Sequence, residues 1–212
     1  MIKHVCFDLD GTLVDSKTTI LDSTKAALDD LNISHDIPED IFSNMIGKHF
    51  VDIFQELKMD TVDFDRFIPI YKAYYFDFID HSFLYPHVEE TLNYLKEKEI
   101  KVSLLTTKVQ DQADRIIDHF SLRSLFNYVM GRRDGLAHKP SPESLLFICR
   151  ELQVNPAETI MVGDTELDIQ CGINAGSKTC GVLYGYRTQE QIEKEKPDYI
   201  IPGLNELRNF LK

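Results

Sequence analysis

No apolar run in this chain approaches the length that a bilayer-spanning helix needs, which argues against an integral helical membrane protein. The opening "MIKHVCFDLDG" does not read as a leader either, because its apolar stretch is short and broken by Lys3, His4 and then acids. Cysteine is scarce: Cys6, Cys149, Cys171 and Cys180 include no close-spaced pair, so neither a zinc knuckle nor a two-cysteine redox motif is present. Small buried thiols in a reduced, cytoplasmic setting are the expectation. Positive charge is in short supply, with 23 Lys and Arg against 35 Asp and Glu, a formal net charge of −12. That balance argues against nucleic acid or an anionic membrane as partner, but leaves room for an anionic substrate held through a metal ion. Low-complexity tracts and internal repeats are also missing, so disorder and solenoid architectures are not expected.

What the chain does have is an alternation of short β-rich apolar runs with amphipathic stretches, the pattern of an α/β fold with a parallel sheet covered by helices. The expected strands are "KHVCFD" (3–8), "KVSLLT" (101–106), "NYVMG" (127–131), "TIMVG" (159–163), "KTCGV" (178–182) and "DYII" (198–201). In open α/β sheets ligands bind beyond the carboxyl ends of the strands, so Asp8, Thr106 and Asp164 are expected to converge there. From 15 to 83 no strand is expected and helical periodicity takes over, with one helix opening at Pro38 and closing at Gly47. The expected organisation is therefore a Rossmann-like core from 1–14 and 84–212 with an all-helical cap inserted at 15–83. Asp15, Ser16 and the stretch from Phe83 to Pro86 would be its hinges. The aromatic density at Tyr71, Tyr74, Tyr75, Phe76 and Phe78 reads as the packed interior of that helical segment.

Four local signals fall at successive strand ends: "DLDGT" (8–12), "LLTTK" (104–108), "HKPSP" (138–142) and "GDTELD" (163–168). Asp8 and Asp164, with Asp168 behind them, make a hard oxygen-ligand set that suits Mg²⁺ and a phosphate group. A carboxylate at the strand terminus can attack phosphorus, giving an aspartyl-phosphate on Asp8, while Asp10 two residues on can protonate the leaving oxygen and then activate water. Thr106 supplies a hydroxyl, Thr107 a main-chain donor, Lys139 a fixed positive charge, and Gly11 lets the backbone close around the anion. Lys48, after the helix end in "MIGKHF", is the cap residue expected to face substrate. Arg132 and Arg133 read as surface residues, and His87, His119 and His138 as neither ligands nor bases, because the aspartates fill those roles.

The order and form of these motifs resemble the haloacid dehalogenase-like hydrolase superfamily, in its branch of helical-cap phosphatases. The resemblance covers nearly the whole chain. It implies that Asp8 is the phosphorylated nucleophile and Asp10 the acid/base. It also implies that Mg²⁺ is held by the Asp8 side chain, the Asp10 main-chain carbonyl and Asp164, with Asp168 in support. An Asp at position 10 implies phosphoryl chemistry and not carbon–halogen cleavage. Where Thr-Asn or Ser-Asn is commoner at the second strand, this chain has Thr106 and Thr107. The stretch "GVLYGYR" (181–187) is similar to the phosphoglycolate phosphatase and pyrophosphatase-like branch, and is expected to lie away from the phosphoryl site. The implied activity is Mg²⁺-dependent hydrolysis of a small phosphorylated metabolite by a monomer or weak dimer. The alternatives are β-phosphoglucomutase-like phosphoryl transfer and a catalytically silent binding protein.

Overall fold

In the computed structural model, which describes residues 1–59 and 62–211, eight strands and nine α-helices are found among the described residues. In chain order they begin with β1 (His4–Phe7), β2 (Val14–Asp15), α1 (Lys17–Asp30), α2 (Glu39–Ser43), α3 (Phe50–Glu56), α4 (Phe64–Asp77) and β3 (Phe83–Leu84). The remainder are α5 (Val88–Glu97), β4 (Lys101–Val109), α6 (Gln110–His119), β5 (Tyr128–Arg132), α7 (Glu143–Glu151), β6 (Thr159–Gly163), α8 (Glu166–Asn174), β7 (Lys178–Val182), α9 (Gln189–Lys194) and β8 (Tyr199–Ile201).

Six strands form one parallel sheet in the order β5-β4-β1-β6-β7-β8. Its two central strands, "HVCF" and "TIMVG", are buried along their whole length, as strands covered on both faces must be. The register sets Phe7 opposite both Leu104 of β4 and Val162 of β6. Asp8 and Asp164, which follow β1 and β6, and Thr106, in the last part of β4, therefore lie toward the same carboxyl end of three neighbouring strands.

The helices that cover the sheet turn an apolar stripe inward. α5 buries Val88, Thr91, Leu92 and Leu95, and α6 buries Gln112, Ala113, Ile116 and Ile117, both at helical spacing. Cys6, Leu105, Met130, Leu145, Ile148, Cys149, Met161 and Cys171 fill one core cluster beneath α7 and α8. Several polar side chains are buried within the sheet, and three of them, His4, Ser103 and Thr159, form one hydrogen-bonded group. His4 bonds Thr159 Oγ1 through Nδ1 at 3.1 Å and Ser103 Oγ through Nε2 at 2.8 Å, joining β1 to β6 and β4. Burial, aided by the Lys101 charge, lowers its pKa to about 4, so it is neutral at pH 7.

The chain divides into two compact units, one comprising Met1–Leu13 and Leu84–Lys212, the other Val14–Phe83. In the second unit α1 packs on α4, and Phe54, Phe67 and Tyr75 are buried in an aromatic interior. The ring of Phe67 meets those of Phe54 and Phe50 edge-on at centroid distances of 5.0 and 5.1 Å, a favourable quadrupole geometry. Two departures from the sequence reading occur here. Val14–Asp15 and Phe83–Leu84 pair as a short two-stranded ladder where no strand was expected, because the two chain segments run side by side there. The helix that opens at Pro38 stops at Ser43, short of Gly47: Asn44 to Lys48 run on in turns, and Gly47 takes a left-handed φ of 101°.

Candidate active site

The residues beyond β1 lie in a loop whose main chain is held from both sides. Asp8 continues the sheet by donating its N–H to Val162 O at 2.9 Å, and Leu13 N returns to Leu9 O at 2.9 Å, which closes the turn around Asp10 and Gly11. Gly11 has φ 83°, and a Cβ there would lie 2.2 Å from Asp164 Oδ2. Only glycine satisfies both conditions.

Asp8, Asp164 and Asp168 are buried, and each offers a carboxylate oxygen within 4.8 Å of the others. Lys139, from the loop before α7, is 2.7 Å from Asp8 Oδ1 and 2.5 Å from Asp168 Oδ1. The second oxygen of Asp168 accepts from Thr165, from its N–H at 3.1 Å and its hydroxyl at 2.7 Å. Both oxygens of Asp168 are thus engaged by protein groups. Asp164 Oδ1 accepts from the Thr12 hydroxyl at 3.2 Å, and Oδ2 from Tyr186 N–H at 2.8 Å. Burial, and next the Asp168 charge, push Asp164 up to about 7. Burial also raises Asp8 despite Lys139 beside it. Burial alone would lower Lys139, but Asp168 and Asp8 outweigh it and hold its ammonium charged.

Three buried carboxylates against one ammonium leave an excess of negative charge in a place where charge is costly, and hard oxygen donors in this number fit a divalent cation such as Mg²⁺. The Asp10 carboxylate is not part of this cluster; Lys108 Nζ lies 3.2 Å from its Oδ2. Thr106 is buried and accepts from Lys108 N–H at 3.2 Å, and Thr107 is half-buried between them. Residues 106–108 sit where the β4–β5 register shifts between Leu105 and Val109, an irregularity of the kind that re-aims side chains at sheet ends. Lys48 belongs to the other unit, where its ammonium is 2.7 Å from Glu56.

The expectation that 181–187 lies away from the phosphoryl site is corrected. Tyr186 N–H holds Asp164, and Gly185 passes so close that a Cβ would lie 2.2 Å from Asp164 Cβ. The Tyr184 hydroxyl bonds Thr12 O at 2.9 Å, and Arg187 makes two bonds to Glu166, at 2.8 and 3.1 Å. The chain after β7 folds back over the end of β6, a return that strand periodicity does not reveal. Lys108 was also missed, although it lies in the quoted "LLTTK". Elsewhere, Arg133 is half-buried and bonded to Gln110 and Tyr128, His87 pairs with Glu90, and His119 sets its ring against Phe120.

The profile of the family described as haloacid dehalogenase-like hydrolase matches residues 5–182. The chain belongs to this family. This haloacid dehalogenase-like hydrolase is 32% identical to the pyrophosphatase PpaX of Anoxybacillus flavithermus, over 99% of this chain and 97% of the relative. It is 30% identical to the phosphoglycolate phosphatase of Haemophilus influenzae, over 99% and 98% of the two chains. Among solved structures, one from Haemophilus somnus 129PT described as a predicted phosphoglycolate phosphatase superposes with TM-score 0.86 at 27% identity, covering 100% of this chain and 98% of the other. The α/β fold is the one shared by haloacid dehalogenase-like phosphatases, and the activity class is phosphatase.

Proposed function

We propose that this phosphatase hydrolyses a small phosphorylated metabolite, phosphoglycolate or pyrophosphate in kind, through an aspartyl-phosphate on Asp8 with Mg²⁺ as cofactor. The observation that carries the reading is the cluster of Asp8, Asp164 and Asp168 closed by Lys139 at the carboxyl end of the central strands. The relatives named above supply the substrate class.

Asp8 attacks phosphorus and the bond from phosphorus to the leaving oxygen breaks. Asp10 gives that oxygen a proton, then takes one from the water that hydrolyses the acyl phosphate. Lys139 keeps Asp8 in place and adds positive charge beside the phosphoryl oxygens. Thr106 and the Thr107 N–H bind those oxygens, and Gly11 leaves room for them. Asp8, Asp164 and the Asp10 carbonyl would hold the metal, with Asp168 orienting Lys139 from behind. When bound, Mg²⁺ neutralises the carboxylates and lets a phosphate dianion approach them. Lys48 is the substrate-facing residue proposed in the helical unit.

The test is phosphate release from phosphoglycolate, pyrophosphate, sugar phosphates and nucleotides, with Mg²⁺ and with a chelator, on the parent and on Asp8→Asn. Mg²⁺-dependent release concentrated on phosphoglycolate or pyrophosphate and lost in Asp8→Asn is expected. Conversion of β-glucose 1-phosphate to its 6-phosphate without net release would overturn the reading in favour of a mutase.

A further inference from the structure

The site contains two lysines with different duties, Lys139 buried and Lys108 half-buried. Lys139 is bound to Asp8 and Asp168, so its charge belongs to the nucleophile and the phosphoryl group. Lys108 lies instead against Asp10, 3.2 Å from Oδ2, with the two side chains 9% and 10% exposed. If Asp10 is the acid, its carboxyl must reach the bridging oxygen, and whatever hangs from that oxygen then lies beside the Lys108 ammonium. The lysine is positioned for this by the backbone: its N–H is fixed on Thr106 Oγ1 at 3.2 Å, and the irregular end of β4 aims the side chain back toward the β1 loop. The same strand end carries further positive charge, since Val109 stands opposite Arg132 in the β4–β5 register.

We infer that Lys108 binds an anionic group on the leaving portion of the substrate, a carboxylate or a second phosphate. The enzyme therefore favours phosphate esters and anhydrides with a charged leaving group over those with an uncharged one. This inference rests on the phosphatase reading of the site and deepens it: a pair near one-tenth exposure is sheltered enough for a charge–charge contact to discriminate, yet is not wholly closed to solvent. An uncharged leaving group would desolvate the lysine without replacing what it loses.

The discriminating pair of substrates is 2-phosphoglycolate and 2-hydroxyethyl phosphate, which share the phosphoryl group and differ in the terminal charge. The parent enzyme should show a higher kcat/KM for phosphoglycolate. Lys108→Gln should lower the ratio of the two kcat/KM values by about tenfold, mainly through KM for phosphoglycolate, and Lys108→Arg should restore most of it. An equal fall on both substrates would overturn the inference, because it would show that Lys108 only positions Asp10. A parent ratio near one would overturn it as well. Absence of phosphate release from either substrate with the parent enzyme would instead remove the phosphatase reading on which the inference stands.

Discussion

The main-chain N–H of Tyr186 donates to Asp164 Oδ2 at 2.8 Å, across 22 positions of sequence. A buried carboxylate raised by desolvation is thus oriented by a backbone group, which no replacement at position 186 other than proline removes. The residue before it is where this contact is vulnerable.

Gly185→Ala should displace Asp164. A Cβ at 185 would lie 2.2 Å from Asp164 Cβ and 2.5 Å from Gly11 O, and overpacking of this kind costs about 1–3 kcal/mol. The Mg²⁺ concentration for half-maximal rate is expected to rise about tenfold or more. A titration of initial rate against Mg²⁺ checks this, and an unchanged midpoint with wild-type stability would show that the loop shifts without cost.

Removing the Lys139 ammonium should damage both fold and activity. Lys139→Met leaves Asp8 and Asp168 buried beside each other without their shared counter-charge, a loss of about 3–5 kcal/mol. Urea unfolding of the single variant and of Lys139→Met with Asp168→Asn separates the two effects. The double variant should regain part of the stability and none of the turnover.

His4 predicts an acid-side loss of stability. Its pKa is about 4 in the fold against 6.5 when unfolded, so the unfolded chain binds the extra proton first as pH falls. The stabilisation is whole above about pH 6.5 and declines toward pH 4, by about 2 kcal/mol between pH 7 and 5. His4→Gln, which keeps polar contact with Ser103 and Thr159 but does not titrate, should show a flatter dependence in urea unfolding at the two pH values. Parallel slopes for the two proteins would count against the assignment.

Mg²⁺ should stabilise the folded chain apart from any turnover. A cation that binds only the folded cluster raises stability by about 2.7 kcal/mol at one hundred times its dissociation constant. Thermal melts with Mg²⁺ and with a chelator should differ for the parent, and much less for Asp164→Asn, whose cluster has lost a charged donor. Equal melts for the parent in both conditions would argue against a metal at these carboxylates.

The parallel sheet was legible in the chain because its central strands are continuous apolar runs, and a strand buried on both faces admits little else. Asp8, Thr106 and Asp164 were legible for a related reason: each follows such a run within a residue or so, so its position is inherited from the strand before it. What local pattern could not supply was pairing. Whether Lys108 meets Asp10 depends on the β1–β4 register and on an irregularity after Leu105, and whether Tyr186 meets Asp164 depends on how the chain turns after β7. The contact of Lys48 with Glu56 likewise follows from the turns after Ser43, which end the helix earlier than Gly47 suggested. Burial and periodicity are properties of a segment and its solvent, and the sequence by itself determined those. The partner of each charge in the site is set by distances between segments remote along the chain, and only the tertiary structure decided them.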